Sequence, residues 1–216
     1  LKAGHQFKTR SDTEVLIHGY EEWGSDLLSR LRGMFAFVIW DEEKKELFAA
    51  RDFFGIKPFY YTVAGESLIF ASEIKSILKY PEYRKALNEQ ALEQFLSFQY
   101  SALEETFFKG IYRLEPGSFL RWKSGSIILE IQKYFEPSLR PETGKTEKEW
   151  LESVDQVIKD SVKAHEIADV EVGTFLSGGV DSGLIASEFG GKRAYTVGFG
   201  QEGNRYNEIQ YARSTA

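Results

Sequence analysis

The sequence predicts two domains of different class. The first is α+β and built on antiparallel hairpins; the second is α/β with a parallel sheet. Three observations carry this. Between residues 34 and 132, short apolar runs rich in Phe, Tyr and Trp come in pairs, each closed by a polar or glycine turn, which is the pattern of hairpins. Residues 137–146 hold two of the five prolines among polar and charged residues, which marks a linker. After it, a long helical pattern is followed by strand, helix, strand and the start of another helix, the order of a βαβ unit. The expected organisation is a domain over 1–136, a linker over 137–146 and a domain over 147–216, both domains incomplete.

The elements follow in order. Ser11-Asp12-Thr13-Glu14 has the Ser-x-x-Glu form of a capping box. Val15, Leu16, Gly19, Tyr20 and Trp23 then recur at helical spacing, so residues 12–23 should be a helix. A short helix is expected over 26–31. Residues 34–40 form an almost unbroken apolar run, short and aromatic, and read as a buried strand. A charged turn at 41–45 leads to the returning strand at 47–51. A second pair, 59–63 and 67–71, turns at Ala64-Gly65-Glu66. Residues 73–78 and 88–97 look helical, and 118–122 with 127–132 make a further hairpin at Ser124-Gly125. Beyond the linker, 147–165 is a long helix with Trp150, Leu151, Val154, Val157, Ile158 and Val162 on one face. Strands are expected over 172–176 and 194–199, with helices over 182–189 and 208–216.

Composition narrows the function classes. A chain of 216 residues with 42% hydrophobic and 15% aromatic residues can bury a core and is not expected to be disordered. A net charge of −6 gives no electrostatic ground for nucleic-acid binding. No apolar run nears the roughly 20 residues of a membrane span, and no secretory pattern opens the sequence, so a cytoplasmic protein without a membrane partner is expected. Cysteine is absent, which excludes disulfides and thiolate metal sites within these residues. His5, His18 and His165 are far apart in sequence and read as dispersed, so metal chemistry is not expected from them. Both ends read as cuts in a longer chain, because the first residue is Leu and the last ones fall within a helical pattern.

The most informative stretch is Leu176-Ser177-Gly178-Gly179-Val180-Asp181-Ser182. An apolar strand runs into Ser-Gly-Gly and then opens a helix. Gly178 and Gly179 can take positive φ and let a phosphate approach the backbone. The free N–H groups at the helix start attract the anion, and Ser177 and Ser182 add hydroxyls on either side. Asp181 would repel a phosphate, so it is expected either to bind Mg²⁺ or to fix the loop by accepting backbone N–H groups. No Lys follows the glycines, so this is not a Walker A loop. Nor is it the Gly-x-Ser-x-Gly elbow of a Ser nucleophile.

The loop resembles the pyrophosphate-binding loop of the ATP-pyrophosphatase group, which splits ATP into AMP and pyrophosphate and adenylates a substrate oxygen. Upstream, Arg32-Gly-Met-Phe-Ala-Phe-Val-Ile-Trp-Asp41, Ala50-Arg-Asp-Phe-Phe-Gly-Ile-Lys-Pro-Phe-Tyr-Tyr61 and Phe70-Ala-Ser-Glu-Ile-Lys75 closely resemble the glutaminase domain of glutamine-hydrolysing asparagine synthetases of the B type. That domain is a class II glutamine amidotransferase of the N-terminal-nucleophile fold. The resemblance runs over nearly the whole chain.

It implies an α+β N-terminal-nucleophile domain followed by an α/β ATP-pyrophosphatase domain. It implies ATP-dependent amidation of aspartate through a β-aspartyl-AMP intermediate, with ammonia drawn from glutamine. Glutamine, aspartate, ATP and Mg²⁺ are then the small-molecule partners. Asp12 matches the acidic residue that binds the glutamine α-amino group, although a carboxylate there is also a plain helix cap. Ser177, Gly178, Gly179, Asp181 and Ser182 match the pyrophosphate loop, with Asp181 as the Mg²⁺ ligand. Leu176 and Val197 match backbone positions that contact adenosine. Arg51, Asp52, Gly55, Lys57 and Pro58 are explained structurally, by a buried Arg-Asp pairing and a turn. The family's nucleophilic Cys is not among these residues, so no catalytic residue is expected in them and this stretch alone should not hydrolyse glutamine. Two other readings are a β-lactam-synthetase-like adenylating relative without glutaminase activity and a non-catalytic nucleotide-binding module. The oligomeric state stays open, a homodimer among the options.

Overall fold

A computed structural model of the chain describes residues 4–199 and 207–216. Two compact units divide it, 1–138 and 139–216.

The first unit opens with helix α1, Asp12–Trp23, and a 3₁₀ helix, Gly24–Arg30. Strands β1 (Ala36–Asp41) and β2 (Glu46–Arg51) form an antiparallel hairpin, as do β3 (Tyr60–Ala64) and β4 (Ser67–Ala71). Two short helices follow, α2 (Ile74–Ile77) and α3 (Glu89–Phe98), then β5 (Tyr112–Arg113), β6 (Ser118–Lys123) and β7 (Leu129–Lys133). One sheet has the order β1-β2-β6-β7 and the other β4-β3-β5.

Strand β2 shows why the layers form. Successive side chains point to opposite faces, and here both faces are apolar. Leu47 and Ala49 pack with Phe59, Tyr61, Leu114 and Leu120, which joins the two sheets. Phe48 and Ala50 pack with Leu28 and Phe119, beside Tyr20 and Leu31, which covers the other face with the first two helices. Fully burying a side chain such as Phe48 contributes roughly 2–3 kcal/mol. The four-stranded sheet is thus the middle layer of three.

Three expectations change here. Residues 34–40 are not a buried strand: Met34 precedes β1, and Trp40 is 45% exposed. The reason is that β1 is an edge strand among the described residues, with β2 on one side only. The buried Arg51 and Asp52 do not bond each other. Arg51 donates to the carbonyls of Lys57, Leu114 and Gly55 at 2.7, 2.6 and 2.6 Å. Asp52 accepts from the backbone N–H groups of Phe35, Phe54, Ile56 and Lys57 at 2.9–3.2 Å. Finally, Ser11 and Glu14 do not close a capping box. Ser11 Oγ accepts from the Thr13 N–H at 3.2 Å, while the Glu14 carboxylate takes the amides of Lys8 and Thr9, each at 2.7 Å, and the Thr9 hydroxyl. Nearer amides in the preceding segment outcompete the cap.

The second unit contains α4 (Glu147–His165), β8 (Thr174–Phe175), α5 (Val180–Glu188), β9 (Ala194–Tyr195) and α6 (Ile209–Thr215). Strands β8 and β9 pair in parallel across α5, the expected βαβ order. A reciprocal capping box opens α4. Thr146 accepts from the Glu149 N–H at 3.4 Å, and Glu149 accepts from the Thr146 N–H at 2.7 Å. Both strands are shorter than the sequence suggests, because each has only the other beside it among the described residues. Among the described residues of this unit, only Leu176 and Ala212 are buried apolar residues. No helix of the described residues is long and apolar enough to cross a membrane.

Candidate functional site

In the first unit, a cleft of about 620 Å³ runs past the start of α1. Asp12, exposed in the first turn of that helix, lines it, as do Lys57 and Ser72. Every residue from 34 to 40 also lines it. Neighbouring side chains of a strand face opposite ways, so a cavity touching all of them runs along the free edge of β1. Asp12 Oδ1 faces the hydroxyls of Ser11 and Thr13 at 3.4 Å each. The cap is supplied by Ser11, which leaves the Asp12 carboxylate outside the helix's own accounting.

Lys57 and Pro58 read as mere turn residues in sequence, yet they form part of the cleft wall. Asp52 explains how. Burial pushes its carboxyl up, but the amides of Lys57, Ile56, Phe54 and Phe35 outweigh burial and hold it below the usual carboxylate range. Its four accepted bonds tie the 53–57 turn to the residue that precedes β1. The placement of Lys57 depends on that long-range tie, which no local sequence signal announces.

In the second unit, the loop after β8 holds its parts closely. Leu176 is buried; its N–H donates to the Tyr195 carbonyl at 2.9 Å, and its own carbonyl accepts from the Thr196 hydroxyl at 2.7 Å. Gly178 has φ +84°, and a Cβ there would meet Tyr211 Cβ at 2.5 Å and the α6 backbone at 2.6 Å. Glycine is therefore required twice over, by conformation and by space. Gly179 differs from expectation: its φ is −78°, an ordinary value, and it is the N-cap of α5. A Cβ on Gly179 would point at Ser177 Oγ, 3.5 Å away, and Ser182 Oγ, 4.0 Å away. These two hydroxyls lie 2.9 Å apart, and Ser182 Oγ also accepts from the Ser177 N–H at 3.2 Å and donates to the Gly179 carbonyl at 3.2 Å. The loop presents two hydroxyls converging over an uncluttered glycine at a helix start, a geometry suited to an anion.

Asp181, exposed in the first turn of α5, has no hydrogen-bond or ion-pair partner among the described residues. It does not fix the loop. Of its two expected roles, the cation ligand is the one this geometry leaves open. Val197 lies two residues beyond β9 and is 61% exposed, not a strand residue as expected. Its neighbour Thr196 bonds Leu176, which keeps the chain beside the loop. The structure thus gathers Leu176, Ser177, Gly178, Gly179, Asp181, Ser182 and the 196–197 segment. Asp12 belongs to the other unit and its own cleft.

Family models match both units. A glutamine amidotransferase domain matches residues 1–135, and an asparagine synthase domain matches residues 153–216. Among curated relatives, "Asparagine synthetase [glutamine-hydrolyzing] 1" of Bacillus subtilis (strain 168) is 39% identical over 99% of this chain and 34% of its own length. A "Putative asparagine synthetase [glutamine-hydrolyzing]" of Mycobacterium bovis is 38% identical over the same shares. A protein named an amidase from Gibberella zeae is 34% identical over 98% of this chain and 34% of its own. The chain spans about a third of the length of the relatives it matches.

Proposed function

This chain belongs to the glutamine amidotransferase domain family, and from that premise we propose that the protein carrying it is a glutamine-hydrolysing asparagine synthetase. Residues 1–136 are read as part of the glutaminase, a class II N-terminal-nucleophile domain, and 147–216 as part of an ATP-pyrophosphatase synthetase domain. In this reading ATP adenylates the side-chain carboxylate of aspartate and pyrophosphate leaves. Ammonia released from glutamine then attacks the β-aspartyl-AMP, forming the C–N bond of asparagine and expelling AMP. A site closed to water keeps the mixed anhydride from hydrolysis.

The observation that carries this reading is the loop at the start of α5. Ser177 and Ser182 converge over Gly179, where pyrophosphate oxygens would accept their hydroxyls and the first N–H groups of the helix. Leu176 and Val197 flank the place an adenosine would take. The free carboxylate of Asp181 fits Mg²⁺, which takes one or two carboxylates together with substrate phosphates. When bound, that ion would neutralise charge on the leaving pyrophosphate. The exposed carboxylate of Asp12, at the cleft along β1, is read as the ligand of the glutamine α-amino group. None of the 216 residues is a cysteine, so glutamine hydrolysis needs a nucleophile outside them.

The test is pyrophosphate release by the full-length protein with ATP, aspartate and either ammonia or glutamine. The expected products are AMP, pyrophosphate and asparagine, and Asp181→Ala should lower their rate by about 10²–10³. ADP and phosphate in their place would sink the reading.

A further inference from the structure

Far apart in sequence, His5 and His18 come together. Their rings lie 4.8 Å apart at 38°, with His18 in the middle of α1. Glu14, His18, Glu21 and Glu22 fall at helical spacings that share one face. The segment before the helix folds back onto that face. Glu14 holds the amides of Lys8 and Thr9, and Phe7 packs edge-on against His18 at 4.9 Å.

The two rings have the same surroundings. His5 Nδ1 and His18 Nδ1 both face Glu21 Oε2, at 3.6 and 3.0 Å. Their other nitrogens face other carboxylates: His5 Nε2 lies 3.2 Å from Glu22, and His18 Nε2 lies 3.6 Å from Glu14. A neutral imidazole carries one N–H and can donate to one of these only. If it donates outward, its Nδ1 lone pair faces the Glu21 oxygen, and a cation between them resolves the conflict. Histidine ligands of metals are held in this way, one nitrogen on the ion and the other N–H on a carboxylate.

We propose that His5, His18 and Glu21 bind a zinc-class transition-metal ion, with Glu22 and Glu14 orienting the two rings. Ligand atoms from the three residues all lie within 4.8 Å of one another. A tetrahedral ion with bonds near 2.0–2.1 Å separates its ligands by about 3.3 Å, close to the two Nδ1–Oε2 distances. Two imidazoles and one carboxylate suit Zn²⁺, Cu²⁺ or Ni²⁺, and not Mg²⁺ or Ca²⁺, which prefer all-oxygen shells. Three protein ligands leave a fourth position for water. Bound metal would clip the segment around His5 to α1, the helix that carries Asp12 at its start. The proposal does not depend on what the cleft or the phosphate loop binds.

Titration calorimetry of Zn²⁺ into the tag-free, metal-stripped full-length protein tests it. One saturable site is expected, unaffected by millimolar Mg²⁺. His5→Gln and His18→Gln should each weaken it at least about tenfold, while His165→Gln, far along the chain, should not. Glu21→Gln gives a further variant from the exposed face of the helix, should either histidine change unfold the protein. Co²⁺ in place of Zn²⁺ should give the visible bands of a tetrahedral site. Absence of a saturable site, or a site indifferent to the His5, His18 and Glu21 changes, overturns the proposal.

Discussion

Two strand-to-turn corners of this molecule look alike in sequence and differ in how their polar groups are engaged. Arg51-Asp52, with the turn through Gly55 to Pro58, ends β2; Ser177 to Ser182, with two glycines, follows β8. Asp52 is 1% exposed and accepts four backbone N–H groups. Asp181 is exposed and accepts none among the described residues. Arg51 is likewise consumed by three carbonyls, whereas Ser177 and Ser182 bond chiefly each other and their own loop. A polar group saturated by backbone serves the fold, because leaving its partners bare would be costly. A polar group left open at a helix start remains available to a ligand. Residue type does not separate the two cases; the hydrogen-bond inventory does.

The largest effects should follow that division. Asp181→Ala should lower pyrophosphate release in the full-length protein by the factor given above, yet change stability by no more than about 0.5 kcal/mol, as exposed substitutions do. Asp52→Asn should do the reverse. One carboxylate oxygen takes Phe54 and Ile56, the other Phe35 and Lys57. An amide nitrogen in place of either oxygen leaves two buried N–H donors facing a donor, so a loss of about 3 kcal/mol is expected in urea unfolding. The pH dependence gives the sign. The folded-state pKa of Asp52 lies below its ordinary value, so its contribution is complete above the unfolded carboxylate value near 3.9 and fades as pH falls through the folded one. The gap between wild type and Asp52→Asn should therefore narrow below about pH 4. A gap that stays constant into acid would mean that the charge of Asp52 does not matter.

The two glycines of the phosphate loop sharpen the comparison within one corner. Gly178→Ala forces a left-handed residue and drives a Cβ into the backbone of α6, for a loss of about 2 kcal/mol. Gly179→Ala meets only ordinary contacts at an ordinary φ, so stability should hold. Its methyl group would face the two serine hydroxyls, and ATP affinity should fall tenfold or more. Equal stability losses at both positions would mean that the glycines serve the turn alone.

Much of this was legible before the structure. The apolar spacing that ends at Trp23 and the pattern after Thr146 fix α1 and α4 to the residue, because helix periodicity is local. The hairpins were legible for the same reason. What stayed hidden depends on distant pairing. β5 is two residues long and owes its existence to Tyr60 and Tyr61 opposite it. Lys57 and Pro58 reach the cleft through the Asp52 tie to Phe35. His5 meets His18 where Glu14 binds Lys8 and Thr9 in place of a capping box and Phe7 packs on His18, so histidines that look dispersed in sequence come together.

Those two helix starts give the smallest predicted effect. Thr146 and Glu149 satisfy each other's N–H groups reciprocally, and the Thr146 hydroxyl also donates to Glu149 at 2.8 Å. The Thr146 amide and hydroxyl hold the Glu149 carboxyl below its ordinary pKa, so the box should weaken as pH falls through that lowered value. Thr146→Ala removes one acceptor and loosens the returning carboxylate, and should cost α4 about 1 kcal/mol. At α1 the duties are divided: Ser11 caps through Thr13 alone, and Glu14 anchors the preceding segment. Ser11→Ala should therefore cost less than Thr146→Ala, while Glu14→Gln should loosen the segment around His5 more than it frays the helix. Amide hydrogen exchange separates these outcomes. Faster exchange at Lys8 and Thr9 in Glu14→Gln, with the first turn of α1 unchanged, is expected; fraying of that turn instead would restore the capping-box role to Glu14.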